Sequence, residues 1–212
     1  MNPAGGIRKF VESHVPYVEE AIIVDTGSVD GTREILEELE SKYSNLKIYD
    51  HKFKGFADAR NYSLEKVNTK YSLVLDADEL ITNEAPSDEW GRIFYEMKRR
   101  PKKKSFFFEF EHVDPNGNYV SSDSWNDRLF ITKKIEFFGD VWETHNYSCI
   151  RFNPKWAIAK IIHFLPSEED CLKKREDWYE SFESKIAGNI SPSQIESFNS
   201  WKAYNSQRER FA

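Results

Sequence analysis

Short apolar runs alternate with segments of helical spacing through the first half of the chain. Apolar runs without polar alternation are typical of strands buried on both faces of a sheet. Such runs predict strands at about 21–25, 46–49 and 71–75, and helical spacing predicts helices at about 7–18, 35–43 and 57–67. Short strand–helix–strand connections favour right-handed crossovers and a largely parallel sheet, so this half predicts an α/β fold.

The pattern changes after residue 80. A helix is predicted at 88–99, and strand-like pieces follow at about 105–112, 119–120, 128–132, 135–138, 147–152 and 156–164. Turn-forming residues separate these pieces, which is typical of an antiparallel or mixed arrangement. Capping-box patterns beginning at Ser167 and Ser191 predict two final helices.

Composition narrows the class of protein. Hydrophobic residues make up 39% of 212 residues and aromatic residues 15%, which is enough for one packed domain. The formal net charge of −6 argues against a nucleic-acid-binding protein, whose phosphate contacts need a basic face. The sequence shows no run long enough to span a membrane and no apolar secretory signal, so we expect a cytoplasmic location. Cys149 and Cys171 are therefore expected to be free thiols.

A cluster of carboxylates directly follows the third predicted strand. If the chain stays extended there, Asp76 and Asp78 point the same way while Ala77 turns away. Two neighbouring carboxylates repel each other unless a cation lies between them. Hard cations such as Mg²⁺ or Mn²⁺ prefer oxygen ligands, so this stretch predicts a metal site at the carboxyl end of a strand. The alternative is a pair of strand-end carboxylates that cap the following turn.

Several motifs together resemble glycosyltransferase family 2. The motifs are the segments 22–32, 59–61 and 75–79, followed by 127–130, 139–143 and 162–163, in the family's order. The resemblance implies a GT-A fold, with a mixed, mostly parallel sheet flanked by helices and further C-terminal helices. It also implies a single domain over residues 1–212, with a nucleotide-binding half at about 1–80, an acceptor half at about 81–165 and a helical segment at about 166–212.

The resemblance also implies a metal-dependent, inverting transfer of a sugar to a carbohydrate hydroxyl. The implied partners are a UDP-sugar donor, UDP-glucose or a similar hexose, a glycan acceptor and Mn²⁺ or Mg²⁺. Further domains of a larger polypeptide are compatible with this interpretation. Residues 1–6 show no strand pattern where the family usually has a further strand. Either the nucleotide pocket is built from a shortened edge here, or the sequence begins inside the domain.

The family's site residues map onto this chain as follows. The resemblance implies that Asp78, with Asp76 as a ligand or ribose contact, and His163 hold the metal ion. It implies that the nucleotide is bound by Asp25, Thr26, Ser28, Arg60, Asp76, Ala77 and Asp78. The general base implied is Glu143, with Asp127 as the competing carboxylate. For His163 the alternative is a core histidine, for Arg60 a surface ion pair, and for each candidate base an exposed turn carboxylate.

Two other functions remain open at this stage. A sugar nucleotidyltransferase shares the layered architecture, but it needs a glycine-rich loop with a basic residue after the first strand, and the sequence shows none. A non-catalytic sugar-nucleotide or carbohydrate-binding module would bind UDP and a metal ion without releasing UDP from a donor. Turnover distinguishes this module from an enzyme.

Overall fold

The fold is taken from a computed structural model of the 212-residue chain. The residues it describes are 6–82, 88–139, 144–146 and 157–167. The chain divides into two compact units, Met1–Ser167 and Glu168–Ala212, and the second lies outside the described residues. The same is true of both cysteines and of the two predicted C-terminal helices. In the described ranges, no helix is long and apolar enough to cross a membrane.

Helices and strands alternate through the first half of the described chain, as the spacing predicts. The elements are α1 (Gly6–His14), a 3₁₀ turn (Val15–Tyr17), β1 (Ala21–Asp25), α2 (Thr32–Lys42), β2 (Leu46–Asp50), α3 (Phe56–Lys66), β3 (Tyr71–Leu73) and β4 (Glu79–Leu80). The predicted helix at 7–18 ends earlier because Pro16 cannot donate to a continuing helix, and the backbone passes into the 3₁₀ turn.

One more helix and five strands complete the described fold. They are α4 (Glu89–Arg99), β5 (Ser105–Val113), β6 (Tyr119–Ile131), a 3₁₀ turn (Thr132–Lys134), β7 (Phe137–Phe138), β8 (Thr144–His145) and β9 (Ala159–Phe164). The predicted piece at 119–120 and all but the last residue of the piece at 128–132 belong to the single long strand β6. Its polar middle lacks the apolar signal on which the sequence prediction rested.

The described strands form a mixed arrangement. Strands β1 and β2 pair in parallel, and a five-stranded sheet has the order β3-β6-β5-β9-β4. Within it, β5 and β9 are parallel, whereas the pairs β3–β6, β5–β6 and β4–β9 are antiparallel. The mixed α/β architecture is confirmed, but among the described pairings the antiparallel ones are more numerous than expected. The long hairpin of β5 and β6 is the reason, because hairpin strands must run in opposite directions.

Strand β5 provides much of the core. Its alternate residues Phe106, Phe108 and Phe110 are at most 2% exposed, as expected for a strand whose successive side chains point to opposite faces. They pack with Trp90 and Ile93 of α4. A second cluster joins α1 and α2 to the first strands through Val11, Leu36, Leu39 and Leu46. These clusters hold the carboxyl ends of β1 and β3, where the candidate site begins.

Candidate active site

Asp25 organises the loop after β1. It is 8% exposed, and its Oδ1 accepts hydrogen bonds from the backbone N–H groups of Gly27 (3.1 Å) and Ser28 (2.9 Å). Burial raises the pKa of Asp25, but these donors and the charge of Arg33 outweigh it, so the pKa lies below its ordinary value. Thr26 and Ser28 are exposed in this loop. The predicted contacts of Asp25, Thr26 and Ser28 with a nucleotide stay predictions.

The stretch after β3 is not extended, which corrects the geometry expected from the sequence. The N–H of Glu79 donates to the carbonyl of Asp76 (3.0 Å), and the N–H of Asp76 donates to Oε2 of Glu79 (3.1 Å). Ala77 and Asp78 lie in the resulting turn, with Ala77 exposed. The alternation argument for Asp76 and Asp78 therefore does not apply, because it requires extended backbone.

Asp76 is held by two arginine side chains. Nη2 of Arg60 donates to both carboxylate oxygens of Asp76, at 2.7 and 3.0 Å, and Nη2 of Arg128 lies 3.4 Å from Oδ2. Burial raises the pKa of Asp76, but the two guanidinium charges outweigh it and keep the pKa below its ordinary value. The side chain remains 45% exposed, so a ligand can reach it. Its assignment as a metal or nucleotide contact stays a prediction.

Glu79 is the buried carboxylate of this cluster. Its side chain is 2% exposed, and its Oε1 accepts from Nη2 of Arg128. Burial raises the pKa of Glu79 to about 7, opposed mainly by the charge of Arg128. The contact with Glu79 positions Arg128, whose Nη2 also lies 3.4 Å from Oδ2 of Asp76.

Arg128 reaches the cluster through an irregularity in β6. Phe106 of β5 pairs with Leu129 and Phe107 with Asp127, so Arg128 is an extra residue on the longer strand. A bulge of this kind bends the strand and re-aims a side chain. The guanidinium lies over the ring of Phe110 at 5.2 Å. In the sequence, Arg128 was indicated only by its place in the motif at 127–130.

Asp78 faces His163 on β9. Oδ2 of Asp78 lies 3.9 Å from Nε2 of His163, and the side chains are 24% and 25% exposed. The N–H of Phe164 donates to the carbonyl of Asp78 (2.9 Å), which fixes the turn against β9. Burial lowers the pKa of His163, partly offset by the charge of Asp78. A neutral imidazole can use its free nitrogen lone pair as a ligand.

His112 supports His163 and was not singled out from the sequence. Nδ1 of His112 lies 2.9 Å from Nδ1 of His163, and Nε2 of His112 lies 2.7 Å from Oγ of Ser124. The two histidines are paired in the parallel β5–β9 ladder. The partner of a ligating imidazole's other nitrogen sets the ring's tautomer and orientation. Only the strand register brings the two histidines together, so spacing along the chain gave no signal.

Asp78 and His163 fit a divalent cation. Two bonds of about 2.1 Å each can span up to roughly 4.2 Å, which includes the observed separation. One carboxylate oxygen and one imidazole nitrogen suit Mn²⁺ better than Mg²⁺. Within the described ranges, no three His, Cys, Asp or Glu side chains come together as a metal site. Two protein ligands leave coordination positions for water and substrate oxygens.

The structure describes only one of the two candidate general bases, Asp127. Glu143 lies outside the described residues. Asp127 is 6% exposed, and its Oδ2 lies 3.8 Å from Nε2 of His145. Burial raises the pKa of Asp127 to about 6 and, together with Arg128 and Arg60, lowers the pKa of His145 to about 4.

Helix α3 carries two residues of the segment 59–61 into place. Arg60 lies 5.4 Å above the ring of Phe137, which orients its guanidinium towards Asp76. The neighbouring Asn61 exchanges two 2.9 Å hydrogen bonds with the backbone of Phe137. Asn61 thus braces the β7 segment. The surface ion pair considered for Arg60 is instead a partly buried one, since the Arg60 side chain is 10% exposed.

The described part of the chain is a mixed α/β domain whose charged side chains gather at the ends of strands. This arrangement is typical of α/β enzymes, which bind ligands at the carboxyl ends of their strands. The family model described as glycosyl transferase family 2 matches residues 4–149. The chain therefore belongs to glycosyltransferase family 2. This confirms the family and the class of enzyme that the motifs suggested.

Two relatives carry glycosyltransferase names. The cholesterol galactosyltransferase of Borreliella burgdorferi is 35% identical over 143 residues, which cover 59% of this chain and 38% of that protein. An uncharacterized glycosyltransferase of Haemophilus influenzae is 28% identical over 166 residues, covering 73% of this chain and 60% of that protein. The matched part of the chain thus spans less than two thirds of each relative's length.

Among solved structures, the match to S. aureus TarS 1–349 in complex with UDP-GlcNAc covers 79% of this chain and 54% of the TarS chain. The TM-score is 0.48 at 18% identity. That the sequence resembles the N-terminal glycosyltransferase domain of a large chlorella-virus protein is a prediction from its motifs alone. The comparisons give nothing about a viral origin, which stays a prediction.

Proposed function

We propose that this chain is a metal-dependent, inverting glycosyltransferase that moves a sugar from a UDP-sugar to a hydroxyl of a glycan or another carbohydrate acceptor. The observation that carries the proposal is the pairing of Asp78 with His163 at 3.9 Å, beside the cluster of Asp76, Arg60 and Arg128. Cation ligands and cationic side chains together suit a diphosphate, whose charge increases as the sugar leaves.

Asp78 and His163 would hold the metal ion, which would supply Lewis-acid stabilisation of the charge on the leaving diphosphate. Arg60 donates hydrogen bonds to the donor, since arginine binds phosphate oxygens through several N–H groups. Asp76 fixes the guanidinium of Arg60 before the donor arrives, which reduces the ordering needed on binding. Glu79 does the same for Arg128.

The acceptor hydroxyl loses its proton to a carboxylate on the side of the sugar opposite the diphosphate. Attack from that side inverts the anomeric centre. We assign this role to Glu143, because the 6% exposure of Asp127 leaves little room for an acceptor hydroxyl to reach it. The raised pKa of Asp127 would make it a stronger base than an ordinary aspartate if the site opens.

The test is metal-dependent release of UDP from a panel of UDP-sugars, with and without Mn²⁺. We expect Asp78→Ala to abolish release from any accepted donor. Asp50→Ala is a matched control, because Asp50 ends the neighbouring strand β2 and pairs with Arg33 at the surface. Unchanged release by Asp78→Ala would overturn the metal assignment.

The same panel separates the rival functions. A binding module would be stabilised by UDP and Mn²⁺ but would release no UDP, and a nucleotidyltransferase would release diphosphate from a nucleoside triphosphate. Since one relative's name gives a galactosyl donor and a sterol acceptor, the panel includes UDP-galactose and cholesterol beside UDP-glucose and glycans.

A further inference from the structure

Three segments at one end of the five-stranded sheet concentrate positive charge. Six of the seven residues at 98–104, which lead from the end of α4 to β5, are Lys or Arg. The loop 67–70 before β3 ends in a lysine, and the 3₁₀ turn Thr132–Lys134 after β6 contains two more. None of the three segments contains Asp or Glu. The charge that they carry is therefore of one sign.

Backbone contacts hold these three segments side by side. The N–H of Ile131 donates to the carbonyl of Lys104 (3.1 Å), and the N–H of Thr132 donates to the carbonyl of Lys70 (3.0 Å). Nζ of Lys70 lies 3.5 Å from the carbonyl of Pro101. These contacts follow from the pairing of β6 with both β3 and β5. Charges that are far apart along the chain thus form one surface.

The side chains of this surface are accessible. We call it the basic end, and it consists of seven exposed residues, Lys70, Lys98, Arg99, Lys102, Lys104, Lys133 and Lys134. Glu20 and Glu96 contact the three segments, but their side chains are only 12% and 16% exposed. Glu96 is already paired with Arg99 and Arg100. No carboxylate of the described ranges forms an ion pair with Lys98, Lys102, Lys133 or Lys134.

The helix dipole explains only part of this charge. Basic residues in the last turn of a helix interact favourably with its negative end, and Lys98 and Arg99 lie in the last turn of α4. The effect falls off beyond that turn, so it does not account for Lys70, Lys102 or Lys104, which lie outside the helices. Neighbouring like charges repel one another and destabilise the compact state. A cluster that opposes folding in this way indicates an anionic partner outside the chain.

A flat anionic surface fits the basic end better than a nucleic acid does. The whole chain has a formal net charge of −6, so carboxylates are in excess away from the basic end. A nucleic acid that extends past the basic end would meet those carboxylates, whereas a membrane touches one end of the molecule only. Screening limits their repulsion to about 8 Å at physiological ionic strength. Tyr95 is 63% exposed one turn before Lys98 and Arg99, and tyrosine is enriched at the level of lipid head groups.

We propose that the basic end binds the head groups of an anionic lipid bilayer. Basic clusters are attracted to such bilayers, and each Lys or Arg near the surface adds to the affinity. Tyr95 adds an amphipathic contact beside these charges, and peripheral binding strengthens with both apolar area and charge. Lipid binding can be measured without a donor or a metal ion, so it stands or falls independently of the proposed function.

The first test is sedimentation of the unaltered chain with vesicles of phosphatidylcholine, with or without about 30% phosphatidylserine. We expect at least tenfold tighter binding to the vesicles that contain phosphatidylserine. We also expect this binding to be lost in about 0.5 M NaCl, because salt shortens the range of the attraction. Equal binding to both vesicles, binding to neither, or binding that persists in high salt would overturn the proposal.

The second test reverses charges at the basic end. Lys133→Glu combined with Lys134→Glu should weaken binding to the phosphatidylserine vesicles at least tenfold, and Lys98→Glu combined with Lys102→Glu should do the same. Circular dichroism checks that each variant is folded. Retained affinity in both double variants would overturn the proposal.

The matched control is Lys52→Glu combined with Lys54→Glu, which changes the net charge equally. Both lysines are exposed after β2, and the 11 residues of α3, about 16 Å long, separate them from the loop before β3. We expect this control to bind the vesicles as the wild type does. A loss equal to that of the basic-end variants would show that net charge, and not this surface, decides binding.

Single-stranded RNA distinguishes the other class of partner. An RNA of about 20 nucleotides is added to the vesicle-bound chain at equal concentrations of RNA phosphate and phosphatidylserine. We expect the chain to stay on the vesicles, because the carboxylates beyond the basic end repel the RNA. Displacement by the RNA would overturn the assignment to a membrane.

Discussion

His14 connects helix α1 to the segment that carries the candidate site. Its Nε2 accepts a hydrogen bond from the N–H of Ile81 (3.1 Å), just after β4, and its Nδ1 lies 2.7 Å from the carbonyl of Phe10. The imidazole must be neutral to accept from Ile81, so this pairing fixes the tautomer with the proton on Nδ1. Burial lowers the pKa of His14 to about 4.

The lowered pKa makes stability depend on pH in a defined direction. Between pH 4 and the unfolded value of 6.5, the unfolded chain binds more protons than the folded one. The stabilising contribution is therefore fully present above pH 6.5 and is lost as the pH falls towards 4. From these two pKa values, linkage gives a loss of about 2 kcal/mol between pH 7.5 and pH 5.

The perturbation is His14→Gln, which can retain both hydrogen bonds but has no titrating group. Urea unfolding followed by tryptophan fluorescence at pH 7.5 and pH 5 measures the free energy of unfolding of variant and wild type. We expect the wild type's advantage at pH 7.5 to shrink by about 2 kcal/mol at pH 5. Phe10→Leu is the control, because it loosens the ring contact of 4.6 Å without removing the imidazole. A His14→Gln difference that stays the same at both pH values would refute the reasoning.

Three further predictions concern the site. Glu143→Gln is expected to keep UDP affinity in calorimetry and lose transfer; if transfer survives and Asp127→Asn abolishes it, the base is Asp127. Arg60→Lys should weaken UDP binding about tenfold, because an ammonium cannot keep the paired hydrogen bonds to Asp76, and unchanged affinity would exclude a donor contact. The pKa of Glu79 is about 7 in the folded chain and 4.5 in the unfolded chain, so the stability that Glu79 contributes below pH 4.5 is lost as the pH rises through 7. Glu79→Gln has no titrating group, so its free energy of unfolding in urea should rise relative to that of the wild type between pH 5 and pH 8. A constant difference across that range would contradict the buried position of Glu79.

Local spacing along the chain was sufficient for much of the fold. The apolar runs of β1, β2 and β3 and the helical faces between them could be recognised because adjacent residues determine propensity and periodicity. The same spacing located the acidic turn at 76–79 after β3. It did not predict the shape of that turn, since the switch from extended backbone to a turn depends on hydrogen bonds that Asp76 and Glu79 make with each other.

The partners of the acidic turn were decided by tertiary structure. Arg128 lies 49 residues from Glu79 along the chain, and His112 lies 51 residues from His163. These contacts depend on strand order, on the register of β5 with β9 and on one extra residue in β6. Shifting a strand's register by one residue sends every side chain to the opposite face, so no local pattern can specify such contacts. The sequence by itself determined which residues carry charge at the ends of the strands, whereas only the packing of distant strands decided which of those charges meet.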